Sequence, residues 1–138
     1  MITEHKSYSI RIVRTYPASR KKIRGLFKDN TILKFTGADK IEGEFKTGSE
    51  FKLSFKGRGK IIGRRIHILK DRIGLAWDVK GFNLPEENSL VEIYLEKKGK
   101  KCVLILLHYD ILKEESAMLK DKAWTEILND LDKELKRV

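Results

Sequence analysis

Acid–base, nucleophilic or metal chemistry in this chain would have to start from three histidines (His5, His67 and His108), one cysteine (Cys102) and scattered carboxylates. No two histidines stand at a metal-ligand spacing, and a lone cysteine does not complete a zinc site with them. There is no nucleophile elbow, no P-loop and no dinucleotide fingerprint. Lys56-Gly57-Arg58-Gly59-Lys60 contains a Gly-x-Gly, but no helical pattern follows, so it reads as a turn. His108 is the histidine in a telling place, at the end of an apolar run. It could work as an acid, a base or a hydrogen-bonding group at a pocket mouth. The reading that residue chemistry favours is a core histidine, satisfied by a backbone carbonyl or by Asp110. Asp78 and Glu92 read as solvated, and Trp77 and Trp124 as core. Cys102, with only Lys100 and Lys101 as charged neighbours, reads as an inert thiol. No carboxylate pair or triad emerges. Catalysis therefore has no support from residue chemistry, and no metal or cofactor is expected.

The element that would have to position any site is the segment Lys113 to Val138. Ala117, Trp124, Ile127, Leu128, Leu131 and Leu135 recur at spacings of three, four or seven, which places them on one stripe of a helix. Charged residues, Lys120 among them, are assigned to the remaining face. At about 1.5 Å per residue, such a helix runs roughly 35 Å and needs a surface to bury its stripe.

The upstream residues supply one. Residues 6–14 alternate, with Tyr8, Ile10 and Ile12 facing one way, as in a half-buried strand. Pro17 ends it, and Ile23, Leu26 and Phe27 define a short helix from about Ala18 to Lys28. Asp29-Asn30 is a break. Asn30 or Thr31 would cap a second short helix carrying Ile32, Leu33 and Phe35, with Gly37 as its stop. Six strands are then predicted near 41–46, 50–56, 60–69, 73–80, 89–97 and 101–109, with a turn from Phe82 to Asn88 around Pro85. Connections this short join antiparallel neighbours. Period two puts Phe51, Leu53 and Phe55 on one face, likewise Ile73, Leu75, Trp77 and Val79, and likewise Val91, Ile93 and Leu95. The last strand is apolar on both faces. Leu104, Leu106 and His108 are assigned to the helix side, leaving Val103, Ile105 and Leu107 to be covered by something else.

A chain of 138 residues suits one domain, taken as 1–138, and 41% apolar residues can fill its core. No run approaches the roughly 20 apolar residues of a membrane helix. The first residues lack a signal-peptide core, and one cysteine makes no internal disulfide, so a cytoplasmic protein is expected. The formal net charge of +10 lies outside the terminal helix, whose six basic and seven acidic residues nearly cancel. Arg20 to Lys34 holds six basic residues against Asp29, and Lys56 to Arg72 seven against Asp71. Such stretches either keep the chain soluble or attract an anionic partner. No motif or stacking platform joins this charge to nucleic acid, which is not an expected partner.

The pattern resembles the START-like, helix-grip superfamily (SRPBCC), and within it the family of activator of heat-shock protein 90 ATPase homologues. Arg14-Thr15-Tyr16-Pro17-Ala18-Ser19, followed by Ile23, Leu26 and Phe27, is similar to that family's strand end and first helix. Ser89 to Glu96 resembles its penultimate strand, and Leu104-x-Leu106-x-His108 its last. Trp124 with Leu128, Leu131 and Leu135 resembles the gripped helix. The chain departs from the family where Leu33-Lys34-Phe35-Thr36 replaces a Trp pair, where Ala123 precedes Trp124 in place of Gly, and at Lys70-Asp71-Arg72 in place of a Pro-rich turn.

The resemblance implies an α+β fold in the order β-α-α-β6-α, a curved antiparallel sheet wrapped around the C-terminal helix, with a cavity between them. Members bind lipids, polyketides or other apolar molecules, and some are cyclases or hydrolases. The namesake acts as a co-chaperone. The expectation for this chain is thus non-catalytic binding of an apolar molecule or lipid by Phe51, Leu53, Phe55, Trp77, Val79, Ile93, Leu106, Trp124 and Leu128, with Arg65 or His108 holding an acidic head group. The alternatives are a module that binds a chaperone or other acidic protein, and an enzyme with His108 as base. A homodimer through Val103, Ile105 and Leu107 is a further expectation.

Overall fold

Alternating apolar residues become strands wherever one face can be buried, and among the described residues they form seven. A computed structural model describes residues 7–28, 30–44, 46–82 and 84–136, and among residues 84–86 the backbone alone. His5, Asp29, Phe45, Arg137 and Val138, which figured in the expectations above, lie outside the described residues. The elements are β1 (Tyr8–Tyr16), α1 (Arg20–Lys28), α2 (Thr31–Lys34), β2 (Lys40–Gly43), β3 (Glu50–Phe55), β4 (Gly59–Ile68), β5 (Arg72–Gly81), β6 (Leu84–Lys98), β7 (Lys101–Ile111) and α3 (Glu114–Leu135). All neighbouring strands are antiparallel, in the order β1-β7-β6-β5-β4-β3-β2. This is the α+β order expected, with a curved sheet and the long helix last.

One expected turn is strand instead. The segment around Pro85 belongs to β6, which starts at Leu84 and pairs with β5 through Asn88 opposite Asp78 and Glu87 opposite Val79. The register shifts between Val79 and Gly81 in β5 and between Arg65 and His67 in β4, and irregularities of this kind bend a strand locally. Two glycines inside strands make room for a ring. Gly63, inside β4, sits between Phe51 and Trp77, and a Cβ there would overlap the Phe51 ring. The missing side chain lets that ring lie across the strand. On the opposite face, Gly74 makes room for the His67 imidazole in the same way.

The inner face carries Phe51, Leu53, Phe55, Ile73, Leu75, Trp77, Val79, Val91, Ile93, Leu95, Leu104 and Leu106, all buried. The α3 residues Ala117, Trp124, Ile127, Leu128, Leu131 and Leu135 are buried too, as their period required. Ile23, Phe27, Ile32 and Leu33 from α1 and α2 join the same core. Ser19 starts α1, its Oγ accepting from the Lys22 N–H at 3.1 Å. The Tyr16 hydroxyl of β1 donates to the Leu128 carbonyl of α3 at 2.9 Å. Burial disfavours the charged phenolate, so the Tyr16 pKa is pushed up and the group stays a donor.

The α3 stripe holds a correction. Lys120, expected among the solvated residues of the helix, is buried on it, and so is Ser116. Glu92, read as solvated, is also buried. It lies on the outer face, where its Oε2 accepts from Arg72 Nε and contacts His67 Nε2, each at 3.0 Å. On that face Val103 is buried while Ile105 and Leu107 are half-buried.

Candidate functional site

The centre of the sheet–helix interface is a chain of hydrogen bonds that begins at Trp124. Its indole N–H, which only donates, reaches His108 Nδ1 at 2.9 Å. That nitrogen must therefore be the unprotonated one, which leaves the ring proton on Nε2. Nε2 lies 2.7 Å from Ser89 Oγ, and the Ser89 hydroxyl donates onward to the Trp77 carbonyl at 2.8 Å. Each donor in the sequence indole, imidazole, hydroxyl thus finds an acceptor. His108 has no exposed surface, and burial, aided by the nearby Lys120 charge, holds its pKa down at about 3. A neutral imidazole with both nitrogens engaged has no lone pair left to take a substrate proton. The core role is thus the observed one, although the partners are Trp124 and Ser89, where a carbonyl or Asp110 had been anticipated.

Beside this relay lies a charged group. Glu87 on β6 reaches Lys120 on α3, with Oε1 2.6 Å from Nζ. Ser116 completes the cluster, its Oγ donating to Glu87 Oε1 at 3.1 Å and accepting from Lys120 Nζ at 2.7 Å. Glu87 Oε2 accepts the Leu112 backbone N–H at 3.1 Å. The residue before α3, Lys113, provides no side-chain cap, so this carboxylate and the acidic residues Glu114 and Glu115 serve the positive end of the helix. Glu87, Lys120 and Ser116 are each under one-tenth exposed. None was singled out from the sequence as a site residue. A signal was present, because Ser116, Lys120 and Trp124 follow one another at spacings of four and so share a face.

A cleft of about 440 Å³ opens next to this cluster. Phe55, Ile61, Trp77 and Val79 form its sheet wall, Lys120, Ala123, Trp124 and Ile127 its helix wall, and Phe35, Phe82, Arg58, Leu119 and Glu126 stand around it. Trp77 and Trp124 pack against each other at the base, with ring centroids 5.1 Å apart and a 45° tilt. Four of the residues named from the sequence, Phe55, Trp77, Val79 and Trp124, line this cleft. Leu53, Ile93, Leu106 and Leu128 are buried in the core beside it, and Phe51 supports Trp77 from a centroid distance of 5.8 Å. Arg65 is buried away from it. Its guanidinium lies over the Phe51 ring at 4.9 Å and donates to Asn30 Oδ1 at 3.0 Å. Asn30, expected as a helix cap, makes no capping bond to α2. Phe35, Ile61, Phe82 and Arg58 were not named as cleft residues, because α2, β4 and the turns at Arg58 and Phe82 meet there only in the folded chain.

Cys102 is fully buried, and burial pushes its thiol pKa up, as an inert thiol requires. A second cleft, of about 530 Å³, lies on the surface of α1, lined by Ser19, Arg20, Lys21, Arg24, Lys70, Lys97 and Gly99. It brings together residues from both basic stretches of the sequence. Among the described residues no three His, Cys, Asp or Glu side chains converge to hold a metal ion, and no helix is long and apolar enough to cross a membrane.

No protein-family model matches the chain, and no curated protein matches it. Solved structures do. The Aha1 dimer from Colwellia psychrerythraea is 21% identical over 94% of this chain and 97% of that one, with a TM-score of 0.75. CalU16 from Micromonospora echinospora is 20% identical, covering 95% of this chain and 78% of its own, also at 0.75. Protein MLL2253 from Mesorhizobium loti is 12% identical over 95% and 98%, at 0.83. At such identities the likeness is one of architecture, and it establishes that this chain has the helix-grip, START-like fold that its sequence resembles.

Proposed function

We propose that residues 1–138 act as one binding unit that holds a small apolar molecule in the cleft between β3–β5 and α3 and does not transform it. The observation that carries this reading is the paired Trp77 and Trp124, which present aromatic surface to a space of about 440 Å³. Concave, mostly apolar clefts of this size suit small ligands. The closed state of His108 supports binding without acid–base chemistry. Both tryptophans of the chain stand in the cleft wall, so their fluorescence reports on it directly. Titration with a neutral naphthalene probe is expected to quench that fluorescence and raise the melting temperature. At a hundredfold excess over Kd, linkage gives about 2.7 kcal/mol of stabilisation. A probe that changes neither signal overturns the reading.

A second reading is an interaction module for an acidic protein surface, supported by the cleft where Arg20, Lys21, Arg24, Lys70 and Lys97 converge. The likeness to the Aha1 dimer favours keeping it, along with pairing of two copies through the Val103, Ile105 and Leu107 face. A complex with an acidic surface should dissolve as salt rises, whereas an apolar pairing of two copies should persist. Sedimentation at low and high salt tests both: absence of a salt-sensitive complex removes the first, and a monomer at both salt concentrations removes the second.

A further inference from the structure

Building on the binding reading above, we infer that Lys120 selects what the cleft accepts, and that the fitting molecule is apolar and uncharged, with one hydrogen-bond acceptor such as a ketone carbonyl. Among the described residues, Lys120 is the charged side chain in the cleft wall that is also buried, at 8% exposure. Its ammonium has three N–H donors, of which two are directed to Glu87 Oε1 and Ser116 Oγ. One remains for a group in the cleft.

The sign of the ligand follows from Glu87. Its carboxylate already neutralises Lys120 and is itself held by Leu112 N–H and Ser116 Oγ. A ligand carboxylate would put two anions beside one buried cation, leaving an uncompensated negative charge in apolar surroundings. A ligand cation would face the ammonium directly. A neutral carbonyl accepts the third N–H and adds no charge. The other charged groups of the wall among the described residues, Arg58 and Glu126, are exposed and opposite in sign, so they give no net preference. Arg65 and His108, the groups the sequence offered for an acidic head group, are engaged outside the cleft wall. The expected anchor thus changes residue, and the preferred ligand changes from acidic to neutral.

The test uses three probes of one shape: naphthalene, 2-acetylnaphthalene and 2-naphthoate, each titrated against tryptophan fluorescence. The wild-type chain should bind 2-acetylnaphthalene about tenfold tighter than naphthalene, the effect of one hydrogen bond from a charged donor. 2-Naphthoate should bind no tighter than naphthalene. In the double variant Lys120→Met with Glu87→Gln, which leaves no lone buried charge, the two neutral probes should bind equally. The variant Lys120→Gln with Glu87→Gln restores an uncharged N–H donor and should recover part of the difference. Tightest binding of 2-naphthoate, or an acetyl preference that survives Lys120→Met, overturns the inference. If all three probes bind the wild-type chain equally, the selection by Lys120 is wrong and the binding reading stands. If none binds, both fall.

Discussion

Trp124 on α3 and His108 on β7 are joined by one hydrogen bond, from the indole N–H to Nδ1 at 2.9 Å, and that bond sets the tautomer of a fully buried ring. The helix is thereby fixed to the sheet by direction as well as by apolar contact. Trp124→Phe should keep most of the packing but leave Nδ1 without a donor. The expected loss is about 1–3 kcal/mol, the cost of an unsatisfied buried acceptor. Urea unfolding of the two proteins measures it, and an unchanged midpoint would show that the relay contributes no stability.

The same ring makes the fold sensitive to acid. His108 is held at about 3 in the folded chain, whereas an unfolded chain takes up the proton near pH 6.5. Between these values the unfolded state binds a proton that the folded state refuses. Stability should therefore fall as pH drops from about 6.5 toward 3, by up to about 1.4 kcal/mol per pH unit. His108→Asn removes this contribution, so its stability curve should be flatter than the wild-type curve between pH 6.5 and 5. Parallel curves would contradict the assignment.

Glu87 and Lys120 should behave as a unit. Glu87→Ala strands the Lys120 ammonium and frees the Leu112 N–H, at a cost of roughly 3–5 kcal/mol. Lys120→Met combined with Glu87→Gln should cost far less than the sum of the single changes. A double-mutant cycle measures that coupling, and additive effects would mean the pair is not coupled.

Gly63→Ala drives a methyl into the Phe51 ring and, through it, against Trp77. A loss of about 1–3 kcal/mol is expected from overpacking. Phe51→Leu in the same chain should relieve part of it, and a shift in tryptophan emission should accompany the single variant. An unperturbed Gly63→Ala protein would show that the strand yields more easily than the register implies.

What could be read from the residues follows from which physical rule each one obeys. Leu128 and Leu131 announce α3 because nothing but a shared helical face explains their spacing. Phe51, Leu53 and Phe55 announce β3 through strict alternation. His108 was placeable in the core, but its partners were not, because Ser89 is 19 residues away and meets it only through the register of β6 and β7. Lys120 obeyed two rules at once. It lies on the apolar stripe by position and in water by type, and only the opposing carboxylate of Glu87 decides for the stripe. Glu87 itself was hidden by Pro85, which suggested a turn where β6 already runs. The cleft depends on the twist of β4 and β5, and period two says nothing of twist.

The pairing of β1 with β7 has a consequence for synthesis on the ribosome. Tyr16 faces Cys102 and Arg14 faces Leu104, so β1 is completed only when β7 has been made. During translation β1 waits as an open edge while some ninety residues emerge, and its closing hydroxyl contact, Tyr16 to the Leu128 carbonyl, forms only when α3 is nearly finished. Such long-range closure slows folding. The exposed Arg11 on that strand discourages a second nascent chain from taking the place of β7.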